Sequence, residues 1–323
     1  MSRPWFRARA PATIANVGPG FDVFCLAVRG PHDVVAVRPA SNDSLRVSGV
    51  DASSLPSGFT ENTAGIVIET MRHRTGIRAP LEVRVAKGLP AGRGLGSSAA
   101  SCAAAALAFL EAFPKARALA PLDVLEAAVE GEAAVAGRHY DNVAGALLGG
   151  FVSIASTEPL LLTREPVSPR IHIAIAIPDL VLRTEDMRRV LPREVPLADA
   201  VSNVGKAATL AIALVRGDAV LAGRCLEDRF ATPHRAPFLK GYAEAKDAAL
   251  RAGATGFSIS GSGSTVFALA ASATAAQRSA KAMADAFRAV GGNAKAFATG
   301  VDNTVPLRRL LSRAGARFTL ATP

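Results

Sequence analysis

Runs in which Val and Leu alternate with polar residues recur in the first third of the chain, at Asp33–Arg38, Leu45–Val50 and Leu81–Ala86. Alternation places every second side chain on one face, so each run predicts a half-buried strand. Around them the apolar spacing becomes helical over Thr63–Thr75, Ser98–Phe113 and Asp123–Ala136. The last of these opens with Asp123 and Glu126 in capping-box spacing. Gly149-Gly150 introduces a further strand, Phe151–Ala155. Ser156–Arg170 carries Pro159, Pro166 and Pro169 without periodicity and predicts the connection between two domains.

A second unit follows: strand Ile171–Ile177, helices around Asp186–Leu191, Ala198–Arg216 and Lys240–Arg251, strands Phe257–Ile259 and Thr265–Leu269, helix Thr274–Val290 and strand Ala294–Ala298. Strands and helices mixed in both halves predict an α+β protein of two domains, residues 1–165 and 166–323.

Composition narrows the class. Half of the 323 residues are hydrophobic and a fifth are charged, which excludes a wholly disordered chain and allows a sizeable core. Lys and Arg number 37 against 27 Asp and Glu, a formal charge of +10. The arginines are scattered and the few aromatics are not interleaved with them, so the charge speaks for phosphorylated ligands rather than nucleic acid. The longest apolar run, Ala99–Leu110, is mostly alanine and falls short of the ~20 residues of a membrane span. No apolar stretch follows Arg3, Arg7 and Arg9 before Pro11, so no targeting peptide is read and a cytoplasmic protein is expected. Cys25, Cys102 and Cys225 are odd in number, widely spaced and without metal-ligand spacing, which predicts buried free thiols.

The strongest chemical feature is Gly88-Leu-Pro-Ala-Gly-Arg-Gly-Leu-Gly-Ser-Ser-Ala-Ala-Ser101, between a predicted strand and a predicted helix. Glycines let the backbone turn tightly around an anion, and the unpaired N–H groups of a helix start point toward it. The loop lacks the Lys of a Walker A motif and the spacing of a dinucleotide fingerprint. Hydroxyls at its end can cap the helix or ligate Mg²⁺ beside a triphosphate.

This stretch resembles the second motif, P-x-x-x-G-L-G-S-S-A-A, of the GHMP kinases. Pro11–Asp22, PATIANVGPGFD, is similar to the first motif of that family in its homoserine kinase branch, and Gly256–Thr265, GFSISGSGST, to the third. His139-Tyr140-Asp141-Asn142-Val143-Ala144, followed by Gly149-Gly150-Phe151, resembles the H-x-D-N-V-A segment of the same branch. The resemblance implies an N-terminal domain like the second domain of ribosomal protein S5 and a ferredoxin-like C-terminal domain. It implies an ATP- and Mg²⁺-dependent kinase that phosphorylates the side-chain hydroxyl of L-homoserine, yielding O-phospho-L-homoserine in threonine biosynthesis. A GHMP kinase for another small hydroxy acid and a non-catalytic binding protein of this fold remain alternatives, as does a homodimer.

Residue by residue, the resemblance places Pro90, Gly92, Arg93, Gly94, Leu95, Gly96, Ser97, Ser98, Ala99 and Ser101 around the ATP phosphates. Asn62 falls on the adenine side or caps the first long helix, and Glu132 with Ser98 holds Mg²⁺. Homoserine is a zwitterion, so its pocket needs both signs of charge. Asp22, with Asn16 and Asn142, can take the ammonium, and the guanidinium groups of Arg188 and Arg235 the carboxylate. Thr184 belongs to the same pattern as Arg188; His139 positions the acceptor, and Gly261 and Gly263 let backbone approach. Asn142 stands where mevalonate-type relatives carry Asp, and an amide accepts no proton. Catalysis is therefore assigned to positioning and charge stabilisation by Asn142, Arg188, Ser98 and Glu132. Ser264, Gly145 and Cys25 depart from the family pattern near the acceptor pocket.

Overall fold

The computed structural model describes residues 3–307, whose strands form two sheets. The first holds β1 (Phe6–Ala15), β2 (Phe24–Pro39), β3 (Ser44–Gly49), β4 (Leu81–Lys87), β5 (Phe151–Thr157) and β6 (Leu160–Glu165), in the order β3-β4-β2-β5-β6 with β1 also on β2. β2 is 16 residues long, and it pairs with β4 through its second half and with β5 through its first three residues. Helices α1 (Thr63–Thr75), α2 (Ser97–Ala112), α3 (Pro121–Ala136) and α4 (Asp141–Leu148) pack against it and one another. α2 is buried nearly all round, packed between β1, β2, α1, α3 and α4. Only small side chains permit so many close neighbours, which accounts for its alanines and fixes where its N-terminus points.

The second sheet holds β7 (His172–Pro178), β8 (Gly256–Ile259), β9 (Val266–Ala270) and β10 (Ala294–Gly300), antiparallel in the order β10-β7-β9-β8. This is the ferredoxin-like order. Its helices are α5 (Thr184–Arg189), α6 (Leu197–Arg216), α7 (Ala219–Arg224), α8 (Thr232–Arg235), α9 (Tyr242–Arg251) and α10 (Ala273–Ala289). Leu210, Ala213 and Leu214 of α6 join the apolar core that also fills the first sheet's helical layer. After β10 the chain returns to the first sheet: Val301 bridges Val28, and Asp302 N–H donates to the Ala27 carbonyl at 2.9 Å.

Several sequence expectations change here. β1 and the first half of β2 were not foreseen: half of the buried positions of β1 are alanine and Pro11 interrupts it at a register shift, while Phe24–Val28 of β2 is buried on both faces and so shows no alternation. β6 occupies part of the stretch read as a connection, alternating buried and exposed leucines over Leu160–Thr163. The capping box does not form: α3 begins at Pro121, Asp123 pairs with Arg74, and Glu126 accepts from the Tyr140 hydroxyl. Proline at the first helical position supplied the start signal instead. All three cysteines are free and buried.

Candidate active site

A cavity of about 660 Å³ is lined by residues from both halves of the chain. Its floor is the loop between β4 and α2. Gly94 and Gly96 adopt φ of +75° and +62°, and neither has room for a side chain. A Cβ on Gly94 would collide with the Ser260 carbonyl, and one on Gly96 with the Thr13 hydroxyl. The loop is thereby seated between β1 and the turn joining β8 to β9, where Thr265 N–H donates to the Arg93 carbonyl at 3.1 Å. α2 starts without a side-chain cap, so the N–H groups of its first turn and the positive end of its dipole are free for an anion.

Under the loop lies a buried clasp. The Asp33 carboxylate accepts from Gly88 N–H at 2.9 Å, Leu89 N–H at 3.2 Å and the Ser101 hydroxyl at 2.7 Å, and it is ion-paired with Lys87. Lys87 Nζ also donates to the Ser97 carbonyl at 2.9 Å and Ser101 Oγ at 2.8 Å. Both charges are fully compensated, so their burial fixes the loop at its two ends.

Beside the start of α2, the Glu132 carboxylate on α3 is hydrogen-bonded to the Ser98 hydroxyl, while its Oε2 is buried without a partner. Burial pushes this carboxyl up to about 7, with nearby Asp141 adding to the shift.

The other end of the cavity carries both signs of charge. Arg188 grips Asp22 with both terminal nitrogens, at 2.7 and 3.0 Å, and its Nη2 lies 3.3 Å from His139 Nδ1. Burial and the Arg188 charge hold His139 below the ordinary imidazole range. Arg235 is buried; it donates to the Met187 carbonyl at 3.1 Å and the Gly261 carbonyl at 2.9 Å, and burial lowers it to about 10. Both guanidinium groups lie over the Phe21 ring, 5.3 and 5.5 Å from its centroid. Asn16 donates to the Gly261 carbonyl at 3.0 Å and accepts from Asp22 N–H at 3.1 Å. These bonds sustain a left-handed backbone at Asn16, Val17 and Asp22, which side-chain-bearing residues seldom adopt. Asp141 is buried in the wall and pushed up to about 6, first by burial and then by Asp22. Its neighbour Asn142 accepts from the Thr13 hydroxyl at 2.7 Å.

Residues 62–150 match the model of the GHMP kinase N-terminal domain and residues 210–289 that of the C-terminal domain. A homoserine kinase from Natronomonas pharaonis is 40% identical over 294 residues, 91% of this chain and 96% of that protein. The chain belongs to the GHMP kinase family. A homoserine kinase from Thermococcus gammatolerans is 39% identical to this GHMP kinase over 297 residues, 91% of the chain and 97% of that protein. The crystal structure of homoserine kinase from Cytophaga hutchinsonii superimposes with a TM-score of 0.88 at 35% identity, covering 94% of this chain and 97% of that one. A mevalonate kinase from L. major, at 13% identity and a TM-score of 0.67, shares the fold. Members of the family use ATP as phosphoryl donor, and this chain is an ATP-dependent kinase by that membership.

Most residues read from the sequence of this kinase line the cavity, with four qualifications. Pro90, Leu95, Ala99 and Gly263 are not on its wall, and the Leu95 and Ala99 side chains are in the core. Ser97 and Ser101 spend their hydroxyls on the Leu89 carbonyl and on Asp33. Asn62 caps α1 by accepting from Ala64 N–H and also donates to the Pro56 carbonyl at 2.7 Å, which ties the adjoining loop to the helix. Asp22 and Arg188, expected at opposite poles, are joined. Asp33, Lys87, Thr13 and Asp141 were not singled out. Asp141 stood inside the H-x-D-N-V-A segment, whereas the pairing of Asp33 with Lys87, 54 residues on, leaves no local signal.

Proposed function

We propose that this GHMP kinase transfers the γ-phosphoryl group of ATP to the side-chain hydroxyl of L-homoserine, giving O-phospho-L-homoserine and ADP. One observation carries the reading: a single cavity joins an uncapped helix start to a cluster of two carboxylates and two guanidinium groups. An amino-acid headgroup needs both charges, and a triphosphate needs the helix start. The curated homoserine kinases at about 40% identity support the same acceptor.

In this reading the first-turn N–H groups of α2 and the Gly92–Gly96 backbone hold the phosphates. Glu132 and Ser98 fit Mg²⁺, since a buried carboxylate oxygen without a partner is what a hard cation bound mainly through its nucleotide requires. Bound there, the metal would neutralise charge on the phosphoryl oxygens. Arg235 and Arg188 receive the acceptor carboxylate, and Asp141 with Asp22 the ammonium. Asn142, steadied by Thr13, orients the hydroxyl; His139, held neutral, packs against Arg188. A loose transition state needs positioning more than proton removal, so Asn142 serves without a strong base. Residues 1–165 and 166–323 act as the two domains, residues 1–2 and 308–323 lying outside those described, and the enzyme works in the cytoplasm. Incubation with MgATP and L-homoserine should yield a phosphomonoester that phosphatase returns to homoserine; its absence would overturn the proposal.

A further inference from the structure

The two ends of the cavity are joined by a length of chain that forms neither helix nor strand. Between β7 and α5, residues 180–183 run past the phosphate loop and deliver Thr184 and Arg188 to the acceptor end. Such a segment has no ladder of its own, so its position is set by the bonds its neighbours make to it. Two sets of neighbours hold it. From the phosphate loop, the Gly92 carbonyl accepts from Leu182 N–H at 3.3 Å, and the Arg93 guanidinium reaches the Pro178 carbonyl at 3.3 Å and the Asp179 carboxylate at 2.7 Å. From the turn joining β8 to β9, the Ser264 hydroxyl donates to the Leu180 carbonyl, and Gly263 lies against the Leu182 side chain.

We infer that Ser264 is a positioning residue for Arg188 and acts through this segment; the inference rests on the reading of Arg188 as a receiver of the acceptor carboxylate. Ser264 is one of the departures from the family pattern, and the structure gives its hydroxyl a use. The side chain is fully buried and absent from the cavity wall, so it reaches a substrate only through other residues. At its far end α5 is held by Asp22 on Arg188 and by Arg235 on the Met187 carbonyl. The first of these is the pair that the acceptor divides, so once homoserine is bound Arg188 depends more heavily on the segment behind it. α5 is six residues long, too short to keep its place unaided. Any fraction of molecules with the segment displaced lowers apparent acceptor affinity in proportion. The phosphate loop has its own ties to the same turn, from Thr265 N–H to the Arg93 carbonyl and from the Ser260 hydroxyl to the Gly94 carbonyl. It does not depend on the Ser264 hydroxyl, and this separates the two substrates experimentally.

Steady-state kinetics of Ser264→Ala, with each substrate varied in turn, tests this. Loss of a neutral hydrogen bond of ordinary strength predicts a KM for homoserine raised ~5-fold, with kcat and the KM for ATP changed less than ~2-fold. In an Arg188→Ala background the same substitution should raise the homoserine KM less than ~2-fold further, because the residue it positions is gone. An unchanged KM for homoserine, a rise in the KM for ATP instead, or an equal rise in both backgrounds overturns the inference, since each leaves Ser264 a support of the turn alone. Hydrogen exchange of the ligand-free proteins gives a reading independent of the acceptor. Amides of residues 182–190 should exchange ~3-fold faster or more in Ser264→Ala, with those of α2 unchanged and melting shifted by no more than ~2 °C. Equal exchange over residues 182–190 overturns the inference too. A wild type that phosphorylates no homoserine overturns the acceptor assignment alone, and the exchange comparison then decides whether Ser264 fixes α5.

Discussion

Asp22 and Arg188 are bonded to each other through both carboxylate oxygens, at 2.7 and 3.0 Å, across the cavity end where an amino-acid headgroup would lie. Each offers the charge that the acceptor's carboxylate or ammonium needs, so the pair is a ready-made stand-in for the zwitterion. Both side chains are about one-third exposed, and the pair itself contributes little to stability. In the proposed reading it keeps the two groups aligned until the acceptor divides them.

Removing either member should therefore act on acceptor affinity. A charge-assisted hydrogen bond is worth ~1.5–3 kcal/mol, or about 10–150-fold. Arg188→Ala and Asp22→Asn should each raise KM for homoserine by that factor with the KM for ATP unchanged. Arg235→Ala should do the same. Steady-state kinetics with each substrate varied in turn checks this.

Glu132 couples activity and stability in opposite senses. Its folded-state pKa of about 7 lies above the ordinary carboxylate value of 4.5, so its contribution to stability is full below about 4.5 and is lost as pH rises through about 7. Metal binding requires the ionised form, so apparent Mg²⁺ affinity should weaken close to tenfold per unit as pH falls below about 7. Glu132→Gln removes the buried charge; at pH 8 without metal its Tm should equal or exceed that of the wild type, while kcat drops ~100-fold or more. Thermal melts with and without Mg²⁺, alongside turnover, test both halves.

The buried clasp under the phosphate loop should answer to single and double substitution differently. Asp33→Asn leaves Lys87 charged and unpaired in the core, at a cost of ~3–5 kcal/mol. Combining it with Lys87→Met removes the stranded charge and should recover part of that loss. Denaturant titration of the three variants measures the coupling.

Gly94→Ala should loosen the junction between the loop and the β8–β9 turn. A left-handed φ and a collision with the Ser260 carbonyl combine there, so a loss of at least ~1–2 kcal/mol is expected, with a raised KM for ATP. Unchanged melting and nucleotide affinity would show that the loop has room the structure does not display.

The parts of this site legible in the sequence were those whose chemistry is local. Gly92, Gly94 and Gly96 announce a bend before a helix, and Asp22, His139 and Asn142 stand within recognisable motifs. What was not legible depends on approach across the fold. Asp33 meets Lys87 because β2 and β4 are neighbours, and Asp22, in the loop between β1 and β2, meets Arg188 of α5, 166 residues on. β1 was missed for a related reason: alanine, Pro11 and Thr13 make up most of its buried run, and only its neighbour β2 and the helix packed on it make such a segment a strand.

The central claim is the acceptor, and ADP release with MgATP over L-homoserine, L-threonine, L-serine, mevalonate and shikimate tests it most directly. The account predicts strong turnover with L-homoserine and a kcat/KM at least ~100-fold lower for every other compound, because in this reading only homoserine sets a hydroxyl at the phosphoryl site while its ammonium meets Asp141 and Asp22 and its carboxylate Arg235 and Arg188. Turnover that favours mevalonate or shikimate, or nucleotide binding with no turnover on any of the five, would contradict it.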